Sequence, residues 1–359
     1  LLKPSLETLT KKYGYEKAKQ IRSEGTNALN WLMEFIKSEN FKCDLKRDGR
    51  FHGAHTPKEY DKIAYQSQNL YTKEGIETYV VSKKDQRNEI NTDLYHGGIV
   101  FPQHASLNPG KYHLELVKKA MKLGVQIIPK CEMRDFRKLN EKFNITTSNG
   151  IVKSQHLVIA TNGYTSNVTP WLNRRNIPIG SYVIATEELP EDYVNNLFPS
   201  NRHITDTCRV IYYFRPSPDN KRVLFGGRVS SKEISLLKSG PLLMKDLTRV
   251  FPSLSNVKIS YSWMGYVSYS FDQLPHIGHD NGLFYSMGYC GSGIALSSYL
   301  GMKLGKKIIN KKDNITAFDD LIFPTRPFYN GRPWFLPALV ELYKFRDSWE
   351  MNKYINRNQ

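Results

Sequence analysis

Cysteine is scarce in this 359-residue chain, and acidic residues are in the minority. Only Cys43, Cys131, Cys208 and Cys290 occur, far apart and with no CxxC pair. That pattern argues against a secreted disulfide framework and for reduced thiols in a cytoplasmic protein. No stretch approaches the ~20 uninterrupted apolar residues of a membrane span. Residues 157–160, Leu-Val-Ile-Ala, are a run of strand length. A charged n-region followed by an apolar h-region is also missing. The chain opens Leu1-Leu2-Lys3-Pro4 and its first methionine is Met33, so an N-terminally truncated sequence is expected. There is no internal repeat, no low-complexity segment and no GxSxG elbow. His96, His104 and His113 lack metal-ligand spacing, so no metal is expected.

The charge balance is one-sided, 51 Lys+Arg against 34 Asp+Glu for a net +17. Such an excess favours anionic partners. The basic residues are scattered, however, and the longest local cluster is Lys306-Lys307 to Lys311-Lys312. Specific nucleic-acid binding is therefore not expected, although a basic binding protein stays open as a reading from another class. What is abundant is core material, with 40% apolar and 12% aromatic residues. The length suits two domains or one large interleaved one.

Apolar residues Tyr15, Ala18, Ile21, Ala28, Leu32 and Phe35 recur at helical spacing, predicting a helix over 15–36 weakened near Gly25. Residues 58–75 predict a second helix ended by Gly75, and 97–102 a short strand. After Asn108-Pro109-Gly110 a helix is expected to run to Leu123 with Leu114, Val117, Ala120 and Met121 on one side. A buried strand over 125–128 should follow. Residues 143–148 and 151 onward predict a hairpin with an Asn149-Gly150 type I′ turn. It delivers the chain to 157–160, a run typical of sheets covered on both faces. Residues 165–262 alternate, at 181–185, 210–214 and 222–225, like an antiparallel sheet inserted between two pieces of an α/β domain. The proline-rich tail from Phe323 is expected to wrap the surface.

The most informative stretch is 283–309. A strand, Leu283 to Met287, is followed by Gly288-Tyr289-Cys290-Gly291-Ser292-Gly293 and then a helix over 294–309. Leu296, Leu300, Leu304 and Ile308 form its large apolar stripe. A second stripe, Gly293, Ser297, Gly301 and Gly305, holds only small residues, and each glycine costs about 1 kcal/mol relative to alanine. Close approach of a sheet or a ligand would justify it. No acid occupies the first turn, so the positive end is available to an anion. The spacing is not GxGxxG, so this is not a primary ADP-binding turn. Ala160-Thr161-Asn162-Gly163 follows its strand directly and reads either as a ligand wall or as a plain strand exit. Cys290 is read as a wall residue rather than a nucleophile.

Taken together, Gly98-Ile99-Val100-Phe101-Pro102 with Asn108-Pro109, HLVIATNGYT (156–165), Leu224-Phe225-Gly226-Gly227-Arg228, WMGYVSYSFDQLPHIG (263–278) and 288–301 resemble the D-amino-acid oxidase/glycine oxidase superfamily of FAD-dependent amine oxidoreductases. The ending, Pro324-Thr325-Arg326-Pro327 through Gly331-Arg332-Pro333-Trp334-Phe335-Leu336-Pro337 to Asp347, is most similar to the γ-glutamylputrescine oxidase branch. The resemblance spans essentially the whole chain, but the family's N-terminal ADP-binding βαβ unit has no counterpart in it.

The resemblance implies a mixed α/β (α+β) fold. An FAD-binding Rossmann-like domain, incomplete, would take 1–40, 92–165 and 272–310. An antiparallel-sheet substrate domain would take 41–91 and 166–271, with a tail at 311–359. It places Met133 against adenine, Ala160, Thr161, Asn162 and Gly163 along the cofactor, and Gly288, Tyr289, Cys290, Gly291, Ser292, Gly293 and Ile294 at the flavin pyrimidine edge. Tyr212, Arg228, Tyr266 and Tyr269 are the pocket candidates. In the glycine oxidase branch an arginine clamps the substrate carboxylate, and here that position is Val267. A hydrocarbon cannot form that bidentate pair, so an amine with a remote carboxylate or none is expected. The covalent-flavin cysteine of monomeric sarcosine oxidase is absent from 265–275, so FAD should be noncovalent. The expected reaction is oxidation of a primary or secondary amine to an imine, followed by hydrolysis, with oxygen or another electron acceptor as partner. The alternatives are a sarcosine/glycine-type oxidase, a basic nucleic-acid-binding protein and an inert fragment.

Overall fold

Helical spacing is realised where an apolar stripe has something to pack against. The computed structural model describes residues 2–280 and 282–355. The spacing near the start becomes one uninterrupted helix, Tyr15–Ser38, which buries Ala18, Ile21, Ala28, Leu32 and Ile36. It follows a short helix, Leu6–Tyr13, capped by the Ser5 hydroxyl, which accepts the Thr8 amide. Helix Pro57–Glu74 starts at the Thr56 cap and stops at Gly75, whose φ of 65° is a left-handed conformation suited to glycine.

The chain alternates between two compact units. The first comprises Leu1–Lys42, Tyr112–Ile179 and Tyr266–Pro333, the second Cys43–Lys111, Gly180–Gly265 and Trp334–Gln359. Residues 92–111 thus lie with the second unit, and the tail divides at Pro333.

The second unit is built on an eight-stranded sheet. Its order is Ile259–Tyr269, Ile177–Thr186, Val223–Gly227, Tyr213–Pro216, His203–Asp206, Arg50–Gly53, Gly98–Phe101, Tyr79–Val81. Arg50–Gly53 runs parallel to His203–Asp206 and antiparallel to Gly98–Phe101, so the sheet is mixed. One face buries Phe51, Val100, Tyr182, Ile184, Ile204, Phe214 and Phe225 under helices Glu191–Leu197 and Leu236–Val250. Those two helices lie within the stretch that reads as strands and turns of an antiparallel sheet. The tail does not simply wrap the surface, because Leu336–Ile355 is a helix that buries Leu336 and Val340. Pro337 falls in its first turn, where a missing amide costs nothing.

In the first unit, His276–Asp280, Leu283–Met287 and Leu157–Ile159 form a three-stranded sheet. The Leu157–Ile159 strand pairs in parallel with Leu283–Met287 and forms one edge. Helix Gly293–Ile308 buries Leu296, Tyr299, Leu300 and Leu304 in the cluster that holds Ala18, Ile21 and Ala28. A separate sheet, Met133–Leu139, Lys142–Thr147 and Gly150–Ser154, carries the hairpin.

Four local expectations fail here. Residues 125–128 form no strand, and Val125, Ile127 and Ile128 are about half exposed, because no described strand runs alongside to pair with them. Helix Pro109–Lys122 forms, but Leu114 and Met121 are exposed and only Tyr112 is buried. The 157–160 run is covered on one face only, with Val158 exposed between buried Leu157 and Ile159. In the hairpin, Thr147 pairs with Gly150, so the two loop residues are Ser148 and Asn149. Asn149 does not take a positive φ, as the type I′ turn requires, whereas Gly150 has φ 139°.

Candidate functional site

Helix Gly293–Ile308 buries Leu296, Leu300 and Leu304 of its large stripe, leaves Ile308 half-buried and leaves its small stripe open. A methyl group placed on Gly301 or Gly305 would meet no protein atom within 4 Å. The glycines are therefore not there to admit a neighbouring element among the described residues. They line an open groove of about 630 Å³, together with Gly293, Ser297, Ile308 and, across from them, Val158, Ala160 and Asn162. Tyr289 and Ile294 also line it.

The glycine turn at its mouth is held from beneath. The Gly288 amide donates to Asn162 Oδ1 (3.1 Å) and the Cys290 amide to the Ser268 carbonyl (3.0 Å). The Ser292 amide turns back to the Tyr289 carbonyl (3.0 Å), and the Tyr289 hydroxyl donates to the Ser286 carbonyl (2.9 Å). Three of the amides expected to face a ligand are thus spent on the turn itself. The amides of Gly291, Gly293 and Ile294 have no acceptor among the described residues. No side chain caps the helix and no acid lies in its first turn, so the positive end stays uncompensated. Cys290 sits in the left-handed region (φ 51°), and its thiol donates to the Gly288 carbonyl at 3.1 Å. Burial pushes that thiol up to about 11, against the helix end, so it is a neutral wall residue.

The other expected positions divide. Asn162, itself at φ 45°, joins the two turns, and its carbonyl accepts from the Asn176 amide at 2.6 Å. Gly163 lies so close to strand Ile259–Tyr269 that a methyl group there would sit 2.7 Å from the Tyr266 carbonyl oxygen. Tyr266 donates its amide to the Tyr164 hydroxyl (3.2 Å), and the two rings meet edge to face. The Tyr269 hydroxyl is 3.9 Å from where a Gly291 methyl would be. Tyr266 and Tyr269 are therefore beside the two turns. Thr161 bonds to the Thr165 hydroxyl (2.8 Å), away from the groove lining. Met133 packs against the Phe143 cluster and does not line the groove.

Tyr212 and Arg228 belong to the second unit. Tyr212 stacks on Phe225 on the helix-covered face of the sheet, and burial raises its pKa. Arg228 is committed to Glu233 (3.1 Å) and to the carbonyls of Gly180 and Ser231. The sequence reading missed Asn176, which contacts both Asn162 and Ser268, because nothing in its local pattern marks it. Also in the second unit, His55, Asp347 and Glu350 could together hold a metal ion, but Arg209 already pairs with both carboxylates.

The family model of FAD dependent oxidoreductases (DAO) matches residues 6–306. A probable oxidoreductase, OrdL, of Haemophilus influenzae is 27% identical over 96% of this chain and 80% of its own length. The gamma-glutamylputrescine oxidoreductase of Escherichia coli is 25% identical over 95% of this chain and 80% of its own length. The structure of glycine oxidase from Geobacillus kaustophilus superposes with a TM-score of 0.71 at 18% identity, covering 87% of this chain and 83% of that one. The mixed α/β architecture is the fold of that enzyme. No helix among the described residues is long and apolar enough to cross a membrane.

Proposed function

We propose that this chain, which belongs to the FAD dependent oxidoreductase family, oxidises a primary or secondary amine to an imine that water then hydrolyses. The observation that carries the reading is the uncapped start of helix Gly293–Ile308 beside a groove walled by small residues. The cofactor of the family fits those residues. Open amides at Gly291, Gly293 and Ile294 suit an electron-rich ring edge, and the bare stripe at Gly301 and Gly305 leaves room alongside. FAD, when bound, supplies two-electron acceptance, and negative charge grows at its pyrimidine edge. The helix end is a preorganised electrostatic partner for such charge. Ala160 and Asn162 would line the cofactor from the facing turn, and binding would be noncovalent.

Substrate choice follows from Val267 and from the relatives. A valine where the resemblance places a carboxylate-clamping arginine disfavours free α-amino acids. One relative is a gamma-glutamylputrescine oxidoreductase, and a γ-glutamylated diamine keeps its carboxylate far from the reacting amine. The test is loss of visible flavin absorbance, without oxygen, in chain reconstituted with FAD. Reduction by γ-glutamylputrescine but not by sarcosine or glycine is expected. The reverse preference would replace this reading with a sarcosine/glycine-type oxidase.

A further inference from the structure

The two turns beside the open groove are tied to each other through one buried side chain. Asn176 is 1% exposed and stands directly before strand Ile177–Thr186. Its Nδ2 donates to the Asn162 carbonyl at 2.6 Å, and its Oδ1 accepts from the Ser268 hydroxyl. Asn162 in turn accepts the Gly288 amide at its Oδ1 (3.1 Å), and the Ser268 carbonyl accepts the Cys290 amide (3.0 Å). The backbone of Asn176 is itself fixed, because its carbonyl accepts from the buried Tyr329 hydroxyl at 2.7 Å. Both anchors of the glycine turn therefore meet at the two ends of one amide group.

The chemistry of that link narrows the residue that can make it. The Asn162 carbonyl can only accept, so the end that faces it must donate, while the other end takes a hydroxyl proton. A carboxamide offers both, an ionised carboxylate lacks the donor and a hydrocarbon lacks both. The backbone being held is demanding. Asn162, Gly288, Cys290 and Gly291 have φ of 45°, 79°, 51° and 93°. A left-handed residue other than glycine persists where its surroundings fix it. Asn162 and Cys290 are the two here that are not glycine, and the Asn176 network fastens both. Past Cys290 the chain presents the amides of Gly291, Gly293 and Ile294, which have no acceptor among the described residues. Asn162 lines the groove and Asn176 does not, so Asn176 acts through the turns rather than by contact.

We propose that Asn176 is the positioning residue that aims the Gly291, Gly293 and Ile294 amides at the pyrimidine edge of bound flavin. The inference rests on the reading of that helix end given above. Donors fixed in advance stabilise developing charge because they need not reorganise as it appears. A misplacement of about 1 Å can cost roughly 100-fold in rate. Reduced flavin carries the negative charge, so loosened amides should weaken its binding more than that of the oxidised form.

Two uncharged variants of the full chain test this without adding an electrostatic effect of their own. Asn176→Leu removes both ends of the link, and Ser268→Ala removes the hydroxyl end while keeping the carbonyl that holds Cys290. The measurements are FAD fluorescence titration, dye-equilibrated reduction of the bound flavin and hydrogen exchange across the glycine turn without FAD. Asn176→Leu should weaken reduced FAD about tenfold more than oxidised FAD, which lowers the two-electron potential by about 30 mV. Exchange of the Gly288 and Cys290 amides should quicken. Ser268→Ala should move both readouts the same way by less, and it carries the test if Asn176→Leu fails to fold. Faster exchange at an unchanged potential would make Asn176 a structural residue only and overturn the proposal, as would variants that match the parent in both. Gly291→Asp separates the two levels of argument. If it binds FAD as the parent does, or if the parent binds none, the reading of the helix end fails, and exchange alone then decides whether Asn176 sets the turn.

Discussion

At Gly163 the missing side chain is a packing requirement, because a methyl group there would lie 2.7 Å from the Tyr266 carbonyl oxygen. Gly163→Ala should therefore destabilise the chain by ~1–3 kcal/mol, the usual cost of overpacking, as read from the urea midpoint. His203 makes a pH prediction. Burial first, then Arg50 and Arg215, lower its pKa to about 3, while the unfolded ring titrates near 6.5. The unfolded chain gains a proton that the native chain refuses, so stability is fully present above pH 6.5 and falls as pH drops towards 3. His203→Phe should flatten that acid limb in a series of melting curves. Single residues also show where sequence reading stops. Tyr212 and Tyr213 are neighbours on opposite faces of one sheet, and which face was covered became known only with helix Leu236–Val250. Tyr266 and Tyr269 lie in a motif with a recognisable frame, whereas Asn176 has none.

Helix Gly293–Ile308 shows the same division at the scale of an element. Its existence, limits and buried stripe were legible from spacing, and the small stripe was legible as an anomaly. That Gly301 faces open space is a property of the fold that spacing does not carry. Gly301→Ala should accordingly stabilise the FAD-free chain by about 1 kcal/mol through helix propensity, yet weaken flavin retention if the groove takes the cofactor. Paired thermal melts and FAD titrations check both signs. Gly291→Asp places an acid at the positive helix end and at a φ of 93°. A carboxylate aimed at the flavin edge should lower FAD affinity about tenfold or more, as measured by fluorescence titration. Elements whose apolar residues lack partners were misread. The 125–128 run and the Leu114–Met121 face of helix Pro109–Lys122 have the pattern of buried structure without the burial.

Across the whole molecule, the interleaving of an α/β part with an inserted sheet was visible as a change of texture along the chain. Its alternation between two units was implied by the family resemblance rather than by texture, because strand and helix patterns say nothing about which distant segments share a core. One feature has consequences at this scale for handling the protein. Among the described residues, strand Leu157–Ile159 pairs on one side only, and Val158 is exposed along it. A bare strand edge beside apolar surface is a template for a second chain. In concentrated stocks the protein should cluster reversibly and then precipitate on storage, with light scattering rising faster than concentration. Val158→Lys should suppress that growth.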